Sequence, residues 1–284
     1  LSRRNRRIRT GVRYENRCGE SCRVQSDRQY KIIADRLAEE IAGRLKVPFE
    51  TTDWTLPKYR QDHYQFAEDD LVIFGMPVFA GKTPNLFKDF VQQGFSGAGP
   101  VVPVVTFGGR AYDSALAELA SLLTADGFKV TGAGAFCMPH VFSDTLSADR
   151  PDERDYSLIA GLADSVVSNL QIDKVLPAAS IPGDPEAAYY TPLGLDGKPA
   201  KFLKAKPKTD TDRCVDCKIC TTICPLGSID VNDVTQIPGR CMKCQACVRN
   251  CPTDAKYFDD PAFLSHVAML EKEFKRRAES EIFV

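Results

Sequence analysis

Eight of the eleven cysteines in this 284-residue chain lie within residues 214–251, and their spacing is the clearest sign of chemistry in the sequence. They form two runs of the type C-x2-C-x2-C-x3-C-P, displaced by 27 residues (241 − 214) and each preceded by an arginine. Secreted disulfide scaffolds are usually short, with cysteines spread through them, whereas here a long cysteine-poor stretch comes first. A dense group of this kind indicates a metal cofactor kept in a reducing compartment. The runs are Cys214, Cys217, Cys220, Cys224 and Cys241, Cys244, Cys247, Cys251.

The spacing of each run resembles that of bacterial two-cluster ferredoxins. In those proteins three cysteines of a run hold one cubane, and the fourth ligates the other cluster. Structural zinc is the alternative, but zinc usually takes four ligands from two separated C-x2-C pairs, and two triplets each followed by C-P fit that poorly. The resemblance implies one 4Fe–4S cluster on Cys214, Cys217, Cys220 and Cys251, and a second on Cys241, Cys244, Cys247 and Cys224.

Apolar runs alternate with helical patterns over residues 31–169, which predicts an α/β parallel sheet. Continuous apolar runs are expected of strands that are buried on both faces. Apolar residues at helical spacing predict the intervening helices. The predicted strands are Leu71–Phe74, Val101–Val105 and Lys129–Phe136, and the predicted helices cover Ile33–Leu45 and Ala115–Leu123. In the cysteine region, Pro225 and Pro252 suit the first turn of a short helix.

Two glycine-containing loops, Gly75–Pro84 and Phe107–Asp113, follow the first two predicted strands. In an open α/β sheet, ligands bind outside the carboxyl ends of the strands, where these loops would lie. Both loops resemble those that flank the flavin ring in flavodoxin-like domains; the alternative is that glycine and proline only mark turns here. The candidate flavin-binding residues are Gly75, Pro77, Val78, Phe79, Gly108, Gly109, Arg110 and Tyr112.

Together, the loops and the cysteine runs resemble the EFR1 family, in which a flavodoxin-like half is fused to a ferredoxin half. The likeness runs from about Tyr30 to Val284 and includes the closing segment Lys275–Val284. It implies a flavodoxin-like doubly wound parallel sheet plus a small α+β ferredoxin-like domain that binds two 4Fe–4S clusters. The expected boundaries are an atypical Arg-rich segment at 1–29, the flavodoxin-like domain at 30–174, a linker at 175–208, the ferredoxin domain at 209–260, and a C-terminal helix and tail at 261–284.

The resemblance breaks down before Tyr30. Flavodoxin-like domains open with a strand and a phosphate loop of the Ser/Thr-x-Thr-Gly-Asn-Thr type, which holds the FMN phosphate at a helix N-terminus. Residues 1–28 hold nine arginines and almost no apolar pattern, so we expect no first strand there. The pair Cys18 and Cys22 lies in this stretch and receives no role.

A basic nucleic-acid arm or a targeting peptide is one explanation of this segment. A reading-frame shift is the explanation we favour. Shifting the codons of Ser26–Tyr30 forward by one nucleotide allows them to encode Ala-Thr-Gly-Asn-Thr, directly before the helix at Lys31. The written frame offers Arg23 and Arg28 but no cradle for a phosphate, so FMN should bind this chain weakly or not at all.

The remaining candidate residues are fewer. Cys137 is expected to be a small buried residue. The histidines stand apart in the sequence and are expected to be structural; for His140, just beyond the last predicted strand, a position that faces the site is the alternative. Residues 175–211 should form a connector, and Pro261–Arg277 an amphipathic helix that packs onto this protein's own domain, with a partner-docking face as the alternative.

Composition limits the functional classes. A net charge of −1 and a pI near 6.4 give no reason to expect nucleic acid as a partner. No apolar run approaches the roughly 20 residues of a membrane span, so the default location is the cytoplasm. The sequence has no convincing catalytic constellation. It therefore favours an electron carrier between redox partner proteins over two alternatives: an FMN-dependent oxidoreductase with the clusters as an internal wire, and clusters that only stabilise or sense.

Overall fold

The computed structural model describes residues 29–284 in full and residues 7–10 as backbone only. Within these ranges, one half of the molecule is a sheet with helices on both faces, and the other half surrounds the cysteine runs. The strands are β1 Arg7–Thr10, β2 Phe49–Thr51, β3 Tyr64–Phe66, β4 Asp70–Pro77, β5 Phe95–Gly97, β6 Pro100–Phe107, β7 Lys129–Val130, β8 Ala133–Cys137, β9 Lys208–Thr209, β10 Lys256–Tyr257 and β11 Glu281–Phe283. The helices are α1 Gln29–Leu45, α2 Lys88–Gly94, α3 Ala115–Ala125, α4 Glu153–Gln171, α5 Ile219–Thr222, α6 Ala246–Arg249 and α7 Pro261–Glu273.

The large sheet has the strand order β2-β1-β4-β6-β8-β11, with β7 beside β6. All neighbours are parallel except β11, which closes one edge antiparallel to β8. β3 and β5 pair with each other outside this sheet. Counted along the chain, the parallel strands therefore run 2-1-3-4-5, which is the flavodoxin-like order of doubly wound sheets. The predicted fold class is confirmed.

Alternating side chains of the central strands bury two cores, one on each face of the sheet. On β4, Leu71 and Ile73 pack with α1 and α4, whereas Val72 and Phe74 pack with α2 and α3. These four side chains are at most 2 % exposed. Burying each of them stabilises the fold by about 1.5–3 kcal/mol. Helices cover both faces of the sheet. A ligand can therefore reach the sheet at the end where its parallel strands finish.

The expectation that no strand precedes residue 30 is wrong. β1 lies inside the sheet, next to the edge strand β2, and Ile8 pairs with Phe49 of β2 on one side and with Leu71 of β4 on the other. Its sequence, Arg-Ile-Arg-Thr, lacks the apolar run by which the central strands were predicted. Backbone pairing on both sides does not depend on side-chain polarity, which is why periodicity missed it. Residues 11–28 lie outside the described residues. They include Cys18, Cys22, Arg23 and the first three positions of the shifted-frame segment.

The predicted strand over Lys129–Phe136 is divided into β7 and β8. β6 pairs Pro100 with Lys129 but Val104 with Gly134, so the offset between partners grows by one residue, from 29 to 30. One extra residue on one strand is a β-bulge, which bends the strand and interrupts the ladder. The bulge separates the short pairing of β7 from the longer pairing of β8.

The expectation that Pro225 and Pro252 open short helices is also wrong. Each of them lies in a turn, and the helices come earlier: α5 ends at Thr222 and α6 at Arg249. A residue that precedes proline is disfavoured in helical conformation. The Cys-Pro pairs therefore end helical structure in both runs instead of starting it.

The chain returns to the large sheet after the cysteine region. α7 packs onto this protein's own domain as expected, with Phe263 against Phe202 and Leu270 against Leu146. The segment that follows is held by the buried guanidinium of Arg150, which bonds both oxygens of Asp155 and the carbonyl of Ala278. β11 then joins the edge of the sheet. Among the described residues, none of the helices is both long enough and apolar enough to span a membrane.

Candidate functional site

The two cysteine runs fold into loops of the same backbone form. In each run the residues on either side of the second cysteine are left-handed: Asp216 and Lys218 (φ 52° and 61°), and Lys243 and Gln245 (φ 58° and 64°). This conformation costs a non-glycine residue roughly 1–2 kcal/mol, so the surroundings must impose it. A four-residue helix follows directly and carries the third cysteine of the run.

The first three cysteines of the first run and the last cysteine of the second run surround a small cavity. Cys214, Cys217, Cys220 and Cys251 all line this cavity, whose volume is about 20 Å³. The N–H of Ala255 donates to the Cys251 sulfur at 3.2 Å. Burial opposes ionisation of this thiol, but the N–H groups of Thr253, Lys256 and Ala255 hold the pKa of Cys251 below its ordinary value. Hydrogen bonds to an anionic group are the stronger kind, so this sulfur suits a thiolate ligand.

The other four cysteines also act on one another electrostatically. Burial raises the pKa of Cys247, and Cys244, Cys241 and Cys224 raise it further. Backbone N–H groups donate to two of these sulfurs, from Ser228 to Cys224 and from Lys243 to Cys241, each at 3.4 Å. The first run's three cysteines thus meet Cys251 around one cavity, and Cys224 of the first run lies near enough to the second run to raise the pKa of Cys247.

The first set of thiols suits a cubane better than a single ion. Within the described residues, no three His, Cys, Asp or Glu side chains come together closely enough to hold one metal ion. A 4Fe–4S cluster takes four thiolates that surround it, one for each iron. Four thiols around a common volume fit that requirement, with Cys214, Cys217, Cys220 and Cys251 the set that encloses a cavity.

A second, much larger cavity of about 1080 Å³ lies at the ends of the parallel strands. Its walls include the loop after β4, the start of the loop after β6, and the segment that follows β8. Cys241 and Cys244 line it from the cysteine half. The cavity therefore joins the candidate flavin loops to the second set of thiols. The predicted residues that line it are Gly75, Pro77, Val78, Phe79, Gly108 and Arg110.

Two predicted residues, Gly109 and Tyr112, do not line the cavity. Gly109 has a φ of +80°, and a Cβ there would lie 2.4 Å from the Ser147 hydroxyl. It is therefore needed for the turn of the loop. Tyr112 packs on Phe107 and donates its hydroxyl to Glu281 of β11 at 2.7 Å. It ties the loop to the edge of the sheet.

The charged residues that line this cavity all have one sign. Six basic residues and no acidic residue contribute to its wall within the described chain. The guanidinium of Arg60 lies 4.4 Å from the centre of the Phe87 ring, and that of Arg110 lies 4.0 Å from the centre of the Tyr190 ring. A cleft with one sign of charge and apolar walls attracts ligands of the opposite sign. The six are Arg60, Arg110, Lys204, Lys206, Arg240 and Lys243.

His140 lines the cavity, which is the alternative that the sequence left open for this histidine. Its Nδ1 accepts the N–H of Phe142 at 3.1 Å. Burial, with His266, Arg110 and Arg249 nearby, lowers the pKa of His140 to about 4, so the ring is neutral at pH 7. A neutral ring that accepts at Nδ1 carries its proton on Nε2, where it can donate to a ligand. A Cβ at Gly108 would lie 2.7 Å from this ring, which requires glycine there.

Two arginines hold the halves of the molecule together beside the cavity. Arg249 of α6 donates to the carbonyls of Val141 and Ser143, each at 3.1 Å, in the segment after β8. From the opposite side, Arg60 donates to the carbonyl of Pro225 at 2.6 Å. Both contacts use several donors of one rigid group, which restricts movement between the halves.

Several residues of the cavity wall were not predicted from the sequence. Trp54 stacks on Phe74, with ring centres 5.5 Å apart, and Gln29 and Tyr30 bring the first turn of α1 to the wall. Tyr190 and Phe202 come from the connector. The one local signal that could have marked any of these positions is that Trp54 is the single tryptophan of the sequence.

Comparison with known proteins identifies part of this region. Residues 234–257 match the family model described as a 4Fe–4S binding domain. The match covers the second cysteine run and less than a tenth of the chain. No curated protein sequence matches the chain.

Three solved structures are similar to parts of it. One is a flavodoxin from Streptococcus pneumonia TIGR4, with 14% identity, a TM-score of 0.36, and coverage of 57% of this chain and 97% of that chain. Another is an NADH:FMN oxidoreductase in its apo form, with 12% identity, a TM-score of 0.34, and coverage of 65% and 93%. The third is the Trp repressor binding protein from Bacillus subtilis, with 13% identity, a TM-score of 0.29, and coverage of 55% and 96%.

TM-scores of this size do not establish a common fold, so the flavodoxin-like assignment depends on the strand order of the chain itself. The cysteine region is assigned independently, through its match to the family model. The molecule is therefore a flavodoxin-like α/β sheet joined to a segment of the 4Fe–4S binding type.

Proposed function

We propose that this chain is an electron-transfer iron–sulfur protein of the EFR1 type, with two 4Fe–4S clusters. The large cavity is the place for a flavin ring, although the chain as written lacks the phosphate loop and should bind FMN weakly or not at all. One observation carries the proposal: Cys241 and Cys244 line the same cavity as the loops at the ends of β4 and β6. When bound, the clusters would supply single-electron transfer and a flavin would link it to two-electron chemistry.

The protein's own residues would position and shield these groups. The two sets of four thiols hold the clusters, with the fourth cysteine of each run crossing to the other set. Backbone N–H groups at Cys224, Cys241 and Cys251 donate to the sulfurs and stabilise their negative charge. Cys217 is the exposed member, so the first set is the natural point of contact for a redox partner protein.

The cavity has what an aromatic anion requires. Trp54, Phe79 and Tyr190 supply apolar walls, and Arg60, which bonds backbone carbonyls, supplies positive charge. Glycine at 75 lets the first turn of α1 come close to β4, since a Cβ there would lie 3.3 Å from the Tyr30 carbonyl oxygen. The first turn of α1 reaches the cavity, and the N–H groups of a helix N-terminus suit a phosphate.

A second candidate is an FMN-dependent oxidoreductase that acts on its own substrate. The size of the cavity favours it, because about 1080 Å³ exceeds the roughly 300–1,000 Å³ typical of small-molecule sites and leaves space beside a flavin. His140 would then donate a hydrogen bond from its neutral Nε2–H to the bound substrate. A substrate that the cluster-loaded protein oxidises or reduces would favour this candidate over the carrier.

The first test is chemical analysis of protein purified without oxygen. We expect about eight iron atoms and eight acid-labile sulfides per chain, because two cubanes contain that number. Zinc should be absent at stoichiometric levels. One or two zinc ions without labile sulfide would overturn the proposal, and the same sample assayed for flavin tests the cavity separately.

A further inference from the structure

The two cysteine loops share one backbone form but differ in charge around the second cysteine. The first loop has Asp216 and Lys218 at the left-handed positions, and the second has Lys243 and Gln245. Because the positions are equivalent, each residue of one loop has a structural counterpart in the other. The inference that follows depends on the proposed function, since it concerns the clusters that these loops would hold.

In the first loop the two charges cancel in solvent. Lys218 Nζ lies 2.7 Å from a carboxylate oxygen of Asp216, and these side chains are 31% and 64% exposed. Exposed ion pairs are screened by water and salt. The first loop therefore places little net charge next to its thiols.

In the second loop one positive charge is buried. The Lys243 side chain donates from Nζ to the carbonyls of Leu203 and Cys241, at 2.5 and 3.1 Å, and its backbone N–H donates to the Cys241 sulfur. No carboxylate within the described chain forms an ion pair with this ammonium, and Asp260 acts on it only from a longer range. Carbonyl acceptors fix the ammonium in place without neutralising it.

Two other nearby cations do not make the charge around the second set differ from that around the first. Lys256 is buried, but it acts on Cys220 of one set and Cys247 of the other, so its effect is shared. Lys206 acts on Cys241, yet its side chain is exposed and its charge is screened. Lys243 is therefore the main electrostatic difference between the two sets.

We propose that Lys243 tunes the second cluster, raising its reduction potential above that of the first, so that the cluster beside the large cavity is reduced first. Reduction adds one negative charge, and a buried, unscreened cation stabilises that charge. Net charge, hydrogen bonds to sulfur and solvent exposure set cluster potentials. Burial of the second set works in the opposite direction, and the charge of Lys243 offsets it.

The test is a potentiometric titration of the anaerobic, cluster-loaded full chain, followed by EPR. Lys243→Met removes the buried charge, and Lys218→Met removes a lysine charge from the exposed loop as the matched control. We expect K243M to lower the reduced-to-oxidised ratio of one cluster at least tenfold at fixed potential, about 59 mV for a one-electron couple. K218M should cause less than a third of that shift, and Lys243→Arg should keep the wild-type values.

Iron and sulfide are measured in the same samples, which separates the two ways of failing. Fewer than eight iron atoms in the wild type would reject the proposed function itself. Full clusters with equal shifts in K243M and K218M, or with no shift, would overturn the role of Lys243. If K243M loses iron, Lys243→Gln is titrated in its place, because glutamine is also uncharged but keeps an N–H donor for the two carbonyls. Loss of iron in both neutral variants would assign Lys243 a structural role instead.

Discussion

Cys251 lies 31 residues after Cys220 (251 − 220), at the end of the other run, yet both line the same small cavity. The turn after Cys251 directs N–H groups of Thr253, Lys256 and Ala255 at its sulfur. The position of this thiol is therefore fixed by its own loop, independently of the residues it meets. Combined substitutions can therefore test which cysteines bind the same cluster.

We expect paired substitutions to reveal the crossed ligand sets. Cys214→Ala with Cys251→Ala should lose no more iron than either single variant, about four atoms, because both remove ligands of one cluster. Cys214→Ala with Cys224→Ala should lose nearly all eight. Iron and sulfide analysis with EPR measures the result, and Cys137→Ala, a buried cysteine outside the runs, serves as the control. The opposite pattern of losses would mean that each run holds its own cluster.

Residues of the site were predictable where the signal is local. The spacing of the cysteines is written into short runs, so all eight thiols could be named from the sequence. The wall of the large cavity is assembled from distant segments, such as Trp54, Tyr190 and Arg240, and no local pattern marks them. The charge of Lys243 is visible in the sequence, but its burial depends on contact with Leu203, which only the fold provides.

At the scale of elements, α1 begins at Gln29 with its first turn at the cavity wall. Gln29 is buried and donates to the carbonyl of Pro139 at 2.6 Å, so the start of this helix is held against the segment after β8. An FMN phosphate would have to be held by the residues that lead into this turn. Their sequence, Ser26-Asp27-Arg28-Gln29-Tyr30, differs from the phosphate loop of flavodoxin-like domains.

We expect FMN affinity to depend on these five residues. The chain as written should bind FMN weakly or not at all, and a version with Ala-Thr-Gly-Asn-Thr at positions 26–30 should bind at least tenfold more tightly, about 1.4 kcal/mol. The reason is that small residues and free N–H groups at a helix N-terminus hold a phosphate. Fluorescence-quenching titrations measure both versions.

Riboflavin provides the control, because it lacks the phosphate and should not distinguish the two versions. Tight, stoichiometric binding of FMN by the chain as written would contradict the frame-shift hypothesis. If neither version binds FMN, the large cavity is not a flavin site, and the cluster assignments are unaffected.

Elements were predictable in proportion to the strength of their apolar pattern. The runs Leu71–Phe74 and Val101–Val105 are buried on both faces and were recognised as strands, and both lie in the centre of the sheet. β1 has no such run and was missed, although it pairs on both sides. The bulge between β7 and β8 is a matter of register with β6, which a single strand's sequence does not specify.

At the scale of the whole molecule, the cysteine half is attached to the sheet at both of its ends. The connector leaves α4 on one side, and β11 returns to the sheet edge on the other. A buried ion pair holds the segment that leads into β11. The side chains of Arg150 and Asp155 are 2% and 0% exposed, and the Ser280 hydroxyl donates to the Asp155 carboxylate at 2.6 Å. Arg249 and Arg60 add contacts beside the cavity.

Breaking the buried pair should loosen this attachment. Arg150→Met leaves the Asp155 carboxylate buried without its partner, which typically costs 3–5 kcal/mol of unfolding free energy. As a control, Lys208→Met removes the pair with Asp259, in which both side chains are exposed (61% and 46%), and should cost no more than about 1 kcal/mol. Urea unfolding followed by circular dichroism compares both with the wild type under anaerobic conditions. Equal losses in the two variants would contradict a special role for Arg150.

The return of β11 to the sheet also has a consequence for synthesis. β8 ends at Cys137, but the strand that covers its edge begins at Glu281, so 144 residues (281 − 137) separate them. At 5–20 residues per second, the ribosome needs roughly 7–29 s to cover that interval. During this time the nascent sheet presents an uncovered edge, which is a template for unwanted pairing with another chain. The cysteine loops emerge within the same interval, so cluster loading and completion of the sheet compete in time.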